Sequence, residues 1–206
     1  MARSSSSDRA RDRILDDDEL RILWPVFGQT GTFGLVCQVI LLTATRRQEA
    51  AGMMRPEISQ DGSTWTIPAV RYKTARDHVV PLSAVVQAII AAQPNRGPRV
   101  FPGARGGALS RGGSARAAID KAAPELAHWT VHDLRRTARS LMSRAGIRPD
   151  IAERVLGHVI PGVGGVYDRF EYLSEKRDAL EKLAALIERI VNPPSTNVVP
   201  LLEARR

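Results

Sequence analysis

The segment from Phe33 to about Thr43 constrains the fold of this chain more than any other. Its residues are apolar on nearly every side of the helix that they would form. Such a helix has no polar stripe to face water, so other elements must enclose it. Cys37, the one cysteine of the chain, lies within it, which excludes an intrachain disulfide and a cysteine-rich zinc site. Burial should leave this thiol unreactive.

Capped or amphipathic segments around this central helix predict further helices. They are expected from Asp16 to about Phe27, Arg46 to about Met53, Ala84 to Ala92, Ser114 to Ala122, Thr130 to Ala145, Pro149 to Val155 and Ser174 to Val191. The side chains expected to cap helices belong to Asp16, Thr30, Ser83, Thr130 and Ser174. Residues 1–14 are predicted to be a disordered basic tail, and residues 193–206 a C-terminal tail.

One stretch differs from the rest because it is rich in β-formers. The runs 64–69 and 78–82, with polar, turn-prone residues between them, predict a β-hairpin whose tip carries Lys73 to Asp77. Val100 and Phe101 predict a short strand, and a glycine-rich loop follows from Pro102 to Gly113. The predicted fold is therefore mixed α+β, mainly helical, with one small antiparallel sheet.

The charge of the chain points to a polyanionic partner. Among 206 residues, 43% are hydrophobic and 25% charged, which is typical of a globular domain, but the net charge is +8. This balance favours nucleic acid first and an anionic membrane surface second. There is neither a signal-like N-terminus nor an apolar run near the ~20 residues that span a bilayer. We expect a cytoplasmic, nucleoid-associated protein.

A set of basic residues ending in a tyrosine has the chemistry needed to cut a phosphodiester. Such a reaction needs positive charge on the non-bridging oxygens, a nucleophile and a proton donor. His132 and Arg135 share one face at the start of a helix, and Tyr167 follows His158 by nine residues beyond a run of glycines. Tyr172 is the rival nucleophile. The full set is Arg46, Lys73, His132, Arg135, His158 and Tyr167. Each member alone is also compatible with an exposed basic face, a helix cap or a structural tyrosine.

In combination, these motifs resemble the catalytic domain of the tyrosine recombinases, the phage integrase family. The matching segments are Thr43 to Glu49, the hairpin from Ile67 to Leu82, His132 to Arg136, Leu156 to His158, and Gly165 to Arg177. The likeness runs from about Leu15 to Ile190. Ala44 stands where the family pattern has glycine, a departure that should be mild because alanine tolerates a helix start.

The resemblance implies the fold of a DNA breaking-rejoining enzyme and a role for each residue of the set. Tyr167, selected over Tyr172 by its spacing, would attack phosphorus and form a 3′-phosphotyrosyl bond. The other implied roles are phosphate binding by Arg46 and Arg135, protonation of the leaving 5′-oxygen by Lys73, handling of the tyrosine proton by His132, hydrogen bonding to phosphate by His158, and orientation of Arg46 by Glu49. Arg47, Arg71, Arg76 and Arg136 would contact DNA. Neither a metal nor another cofactor is implied.

The implied organisation is a catalytic domain over residues 15–192 without an N-terminal core-binding domain. The implied function is site-specific recombination of a mobile element at attachment sites in double-stranded DNA. We expect a tetramer on DNA, a monomer in solution and no membrane partner. The apolar segment from Val198 to Leu202 would dock on a neighbouring subunit or fray.

Other interpretations remain open. Leu134 to Val159 has the form of a helix-turn-helix with its turn at Ala145 to Ile147, which predicts a non-catalytic DNA-binding regulator. That interpretation leaves Arg46, Lys73 and Tyr167 without roles. An inactive integrase remnant would have the same residues. A type IB topoisomerase shares the chemistry but needs a clamp that a chain of this length lacks.

Two weaker patterns are discounted. His128 and His132 have a spacing that suggests a zinc pair, but Thr130 should cap the helix between them, and no third ligand is evident. The stretch Gly103 to Gly113 lacks the Gly-Lys-Ser/Thr ending of a phosphate-binding loop.

Overall fold

The computed structural model describes residues 12–72, 76–103, 106–109, 113–158 and 171–194. Within these ranges the chain is mainly helical with a two-stranded antiparallel sheet, as predicted. The elements are α1 (Asp17–Gln29), α2 (Gly31–Thr43), α3 (Arg47–Ala51), a 3₁₀ turn (Arg55–Glu57), β1 (Thr64–Ile67), β2 (His78–Pro81), α4 (Ala84–Ala91), α5 (Gly113–Ala122), α6 (Val131–Arg144), α7 (Pro149–Leu156) and α8 (Leu173–Val191). No helix in the described part of the chain combines the length and apolar character needed to span a membrane.

Helix α2 is the centre of the fold. Its residues are buried on all sides, and it packs against α1, α6 and α8, which confirms the central helix predicted from the sequence. The contact with α1 is close, because a Cβ on Gly34 would lie 2.0 Å from the carbonyl oxygen of Phe27. Cys37 is fully buried, and this burial raises the pKa of its thiol to about 12.

The helices begin close to the predicted positions, but several of the predicted side-chain capping bonds are not formed. Asp16 and Glu19 form the expected reciprocal cap of α1. Three hydroxyl caps are wrong. Thr30 joins α1 to α2 but donates to the Val26 carbonyl oxygen, Ser83 makes no cap bond, and α8 begins at Leu173, so Ser174 lies inside its first turn.

The β-hairpin is formed as predicted. Strands β1 and β2 pair antiparallel, with Thr64 opposite Pro81 and Ile67 opposite His78. Residues 73–75, the start of the predicted tip, lie outside the described residues. The strand predicted at residues 100–101 is absent, because the backbone pairs with another segment: Arg99 bridges to Met54, and the Val100 N–H donates to Met53 O at 3.0 Å.

Two residues near the start of the described chain, Arg13 and Leu15, contact the rest of the fold. Arg13, assigned to the disordered tail, pairs with the Glu19 carboxylate and donates to Ala127 O at 3.2 Å. The backbone N–H of Leu15 donates to the Thr137 hydroxyl at 2.9 Å. Residues 1–11 and 195–206, which contain the rest of the two predicted tails, lie outside the described residues.

Candidate active site

The site starts where α2 ends, at Ala44. This residue is left-handed, with φ of 54°, and its carbonyl oxygen accepts a hydrogen bond from Nη1 of Arg135. We had expected a helix start here, where alanine would be tolerated, but Ala44 is a helix C-cap, and a left-handed conformation costs a residue with a Cβ about 1 kcal/mol. The glycine of the family pattern is therefore explained by a helix end.

Arg46 is held by a buried carboxylate. It stands at the N-cap of α3, where Glu49 accepts the Arg46 backbone N–H at 2.8 Å and its Nη1 at 2.8 Å. Burial acts to lower the pKa of Arg46, but the hydrogen bond to Glu49 and the neighbouring Tyr72 phenol outweigh it and leave that pKa raised. The guanidinium also lies 5.3 Å from the centre of the Tyr72 ring. Its direction is therefore set on two sides.

Arg135 lies deeper and has different partners. Its residue is only 5% exposed. Nη1 donates to Ala44 O, and Nη2 donates to Leu156 O at 2.9 Å and to Nε2 of His158 at 3.2 Å. Burial, and then the nearby charge of Arg46, lower the pKa of Arg135 to about 10. Within the described chain, no carboxylate hydrogen-bonds this guanidinium, so its charge is not neutralised at contact distance.

His158 is fixed through both ring nitrogens. Its Nδ1 lies 2.6 Å from Oε2 of Glu153, and its Nε2 faces Arg135. An arginine only donates, so Nε2 accepts here and the ring proton sits on Nδ1, toward the carboxylate. Glu153 also accepts Nε of Arg139 at 2.8 Å. Burial acts to raise the pKa of Glu153, but the bonds to Arg139 and His158 outweigh it and lower that pKa.

His132 faces an open cleft of about 730 Å³ that Arg46, Arg47 and Tyr72 also line. It occupies the first turn of α6, which is secured by the Asp133 carboxylate accepting both the backbone N–H (2.8 Å) and the hydroxyl (2.9 Å) of Thr130. Partial burial, followed by the charges of Arg136 and Arg135, lowers the pKa of His132. A neutral imidazole is therefore favoured at the edge of a cationic cleft.

Two members of the predicted set, Lys73 and Tyr167, lie outside the described residues. The structure brings the other four to one region, with Glu49 behind Arg46. The rival nucleophile Tyr172 stands at the N-cap of α8 with φ of 50°, and its ring is covered by the Arg154 guanidinium at 3.8 Å.

The comparisons with known proteins identify the family. The sequence profile of the Phage integrase family matches residues 31–169. The chain belongs to this family. It is 36% identical over 154 residues to prophage integrase IntA of Escherichia coli (strain K12), covering 72% of this chain and 37% of IntA. Prophage integrase IntZ of the same strain is 31% identical over 161 residues, 75% of this chain and 39% of IntZ. The chain thus spans about two fifths of the length of these curated relatives.

Solved structures of integrases and recombinases share the fold. The integrase from mycobacterium phage Brujita aligns with a TM-score of 0.66 at 18% identity, covering 88% of this chain and 64% of that one. A lambda integrase (75–356) dimer bound to a COC′ core site gives 0.57 at 18% identity, over 71% and 57%. The XerH site-specific recombinase bound to difH substrate, in its pre-cleavage complex, gives 0.56 at 18%, over 79% and 52%.

Within this integrase fold, the four arginines predicted to contact DNA fall into two pairs. Arg71 is clamped by Glu57, with Nε–Oε1 of 3.0 Å and Nη2–Oε2 of 2.6 Å, and Arg136 pairs with Asp133 at 3.3 Å. Arg47 and Arg76 make no hydrogen bond or ion pair with any described residue. The second pair is the one whose charge is available to a ligand.

Sequence reasoning missed three residues that support the site: Tyr72, His78 and Glu153. Tyr72 immediately precedes Lys73, and His78 begins a strand otherwise rich in valine. Glu153 lies five residues before His158, on the final turns of α7. A buried histidine in an apolar strand was the available signal, because such a side chain requires a partner.

Proposed function

We propose that this chain is the catalytic domain of an integrase-type, site-specific DNA recombinase. It cleaves and rejoins double-stranded DNA through a 3′-phosphotyrosyl intermediate, in the integration or recombination of a mobile element. The single observation that carries the proposal is the environment of Arg135. This buried guanidinium hydrogen-bonds two carbonyl oxygens and an imidazole, while Arg46 adds a second positive charge nearby.

A buried cation without a contacting anion is costly, and a ligand anion removes that cost. Two guanidiniums and an imidazole can together hold the non-bridging oxygens of one phosphodiester. Arg135 and Arg46 supply planar forks that match two oxygens. His158, held through Nδ1 by Glu153, directs Nε2 to the same place.

The reaction needs only atoms that the protein and DNA supply. The Tyr167 oxygen attacks phosphorus, the O–P bond to tyrosine forms, and the bond from phosphorus to the 5′-oxygen breaks. His132 accepts the phenol proton, a role that suits a lowered pKa, and Lys73 gives a proton to the 5′-oxygen. A free 5′-hydroxyl from another strand reverses the same steps. One ester replaces another throughout, so no external energy source is needed.

Charge and relatives support DNA as the partner. The net charge of +8 favours a polyanion, and Arg47, which has no ion-pair partner among the described residues, lines the same cleft as Arg46 and His132. The lambda integrase and XerH structures that share this fold hold DNA. We assign the same kind of partner, attachment-site duplexes, to this chain.

Assembly and organisation follow from the reaction. Exchange between two duplexes requires four strand cuts, so we propose a tetramer on DNA formed from monomers, with residues 15–192 as the catalytic domain. The segment from Val198 to Leu202 is proposed to dock on a neighbouring subunit, and the protein to reside on the nucleoid in the cytoplasm.

The helix-turn-helix alternative fits the surface less well. Helices α6 and α7 with the turn between them do occur as predicted. However, α7, in the position of a recognition helix, buries its apolar face and leaves the acidic side chains of Asp150 and Glu153 on its outer face. Asp150 pairs there with Arg148, and Glu153 contacts Arg139 and His158, so these basic groups already have carboxylate partners.

A trapping experiment tests the proposal. The protein would be incubated with nicked duplexes of randomised sequence around the nick, beside Tyr167→Phe and Tyr172→Phe. We expect an SDS-resistant, protease-sensitive adduct that only Tyr167→Phe abolishes. An adduct that survives Tyr167→Phe refutes the assigned nucleophile. DNA that is bound without an adduct indicates a binding module or an inactive remnant.

A second substrate tests the assigned acid. Replacing the 5′-bridging oxygen by sulfur provides a leaving thiolate, which departs without a proton. We expect Lys73→Ala to lose adduct formation on ordinary DNA and to regain it on the sulfur-bridged duplex. Equal losses on both substrates would contradict the acid role of Lys73.

A further inference from the structure

The C-terminal end of α7 is unusually well defined because every carbonyl of its last turn has a partner. A helix leaves four such carbonyl oxygens without intrahelical bonds. Here His158 N–H donates to Glu153 O at 3.0 Å, and Gly157 N–H donates to Arg154 O at 3.1 Å. With Gly157 left-handed, these two bonds form a Schellman motif, and they fix the backbone of His158 to the helix.

Side chains from the hairpin and from α6 take the two remaining carbonyls. Nε2 of His78 lies 3.1 Å from Val155 O, so this nitrogen carries the ring proton and donates. Leu156 O accepts both Nη2 of Arg135 at 2.9 Å and the Tyr72 hydroxyl at 3.2 Å. The hydroxyl also lies 3.3 Å from Gly157 O. The hairpin is therefore bonded to the residues directly before His158.

The packing at this junction is as specific as the hydrogen bonds. The rings of Tyr72 and His78 stack with centres 4.7 Å apart and planes 15° apart. A Cβ on Gly157 would lie 1.6 Å from the Tyr72 hydroxyl oxygen and 3.1 Å from Cε1 of His78. Gly157 is thus required both for its φ of +66° and for the close approach of the hairpin.

Tyr72 also contacts another component of the candidate site. The Arg46 guanidinium lies over the Tyr72 ring, and the next residue after Tyr72 is Lys73. Burial raises the pKa of Tyr72, so its hydroxyl remains a donor. Burial, and then the charge of Lys176, lower the pKa of His78 to about 3, so its ring remains neutral beside the carbonyl.

We propose that Tyr72 and His78 are positioning residues that fasten the lysine-bearing hairpin to the C-terminal end of α7. Through this fastening, Arg46, His158 and the described parts of the hairpin keep one relative arrangement. The inference rests on the proposed function, in which these groups act on one phosphate. Neither Tyr72 nor His78 is assigned contact with DNA.

Amide hydrogen exchange tests the fastening without any activity. Tyr72→Phe keeps the ring and its stack on His78 but removes the hydroxyl, with its bonds to Leu156 O and Gly157 O and its influence on Arg46. Tyr172→Phe is the matched control. We expect the Gly157 and His158 amides to exchange about fivefold faster in Tyr72→Phe, with α2 unchanged and no effect in Tyr172→Phe. Unchanged exchange at Gly157 and His158 would overturn the proposal.

Adduct formation at saturating DNA tests the positioning role. We expect Tyr72→Phe to react about tenfold more slowly with an unchanged half-saturating DNA concentration. His78→Gln, which keeps an N–H donor, should remain within about threefold of the parent, whereas His78→Phe should lose about tenfold. Faster exchange with parental adduct rates would reduce both residues to a structural role and overturn the proposal. If the parent chain forms no adduct, the proposed function fails, while the exchange result still decides the fastening.

Discussion

Arg71 and Arg135 are the instructive pair in this molecule. Both belong to the candidate site and both were predicted to act on DNA. Glu57 grips Arg71 through both carboxylate oxygens, and also accepts Nε1 of Trp65 at 3.0 Å. Arg135 is more deeply buried, and among the described residues its hydrogen-bond partners are two carbonyl oxygens and an imidazole. What separates these two arginines is therefore a carboxylate that takes two of the donors of Arg71, whereas no carboxylate of the described residues contacts Arg135.

The largest expected difference is in reaction rate. Arg135→Lys keeps the charge and loses the planar fork, so adduct formation should fall by about 10²–10³, the effect of removing one pre-organised donor. Arg71→Lys, the matched substitution, should leave the rate within about threefold because its charge is already used within the protein. Single-turnover trapping at saturating DNA measures both. Similar losses of rate in the two variants would contradict the proposed difference between Arg135 and Arg71.

The free energy of unfolding should depend on the ion pair of Arg71, although the reaction rate should not. Arg71→Lys replaces a two-pronged ion pair whose side chains are 27% and 12% exposed, and should lower the free energy of unfolding by about 1 kcal/mol. The control is Arg148→Lys, whose side chain is 72% exposed in its pair with Asp150 and should cost less than about 0.5 kcal/mol. Urea unfolding measures both, and equal midpoints in the two variants would contradict a bracing role for Glu57 and Arg71.

DNA affinity should distinguish Arg71, which is paired with a carboxylate, from Arg47, which has no such partner among the described residues. Arg47 lines the cleft without a described partner, so Arg47→Gln should weaken binding several-fold and reduce the salt dependence by about one phosphate contact. Arg71→Gln should change neither quantity appreciably. Titrations of labelled duplex over a salt series give both values. An unchanged salt slope for Arg47→Gln would mean that this side chain does not meet a phosphate.

The smallest effect concerns pH. Burial, followed by the charges of Arg136 and Arg135, lowers the pKa of His132. The proposed base therefore stays neutral as the pH falls through the usual histidine range near 6.5, and the adduct rate should not change there. Arg136→Gln removes one opposing charge, raises that pKa and moves the acid limb to higher pH. At about pH 6 the rate relative to pH 8 should fall by roughly two- to threefold. Arg148→Gln should leave the limb in place, and a shift toward lower pH in Arg136→Gln would exclude His132 as the base.

Much of the fold can be predicted from the sequence because it depends on local patterns. The apolar run of α2 requires enclosure, and the carboxylate of Asp16 has a clear use at a helix start. The three hydroxyl caps failed because a hydroxyl has several acceptors within reach, as the bond from Thr30 to Val26 shows. The strand at residues 100–101 failed because the pairing with residues 53–54 is limited to one bridge, between Met54 and Arg99, and the bond from Val100 to Met53 O.

The candidate site can be predicted only in part, for a different reason. Motif spacing predicted a set of six residues, four of which the structure brings to one region, but spacing gives no information about the partners of each side chain. Tyr72 meets Leu156 across 84 positions and Arg71 meets Glu57 across 14, and no periodicity encodes either contact. Ala44 was placed at a helix start because a single sequence does not distinguish the end of one helix from the beginning of the next.

The buried thiol of Cys37 can serve as a natural probe for opening of the protein core around α2. The thiol is the only one in the sequence, it is fully enclosed in α2, and its pKa of about 12 leaves almost no thiolate at neutral pH. An alkylating reagent should therefore react only when the central helix leaves its enclosure. The kinetics of labelling would then report how often the molecule opens at its centre, with and without DNA, and no label would have to be engineered into the protein.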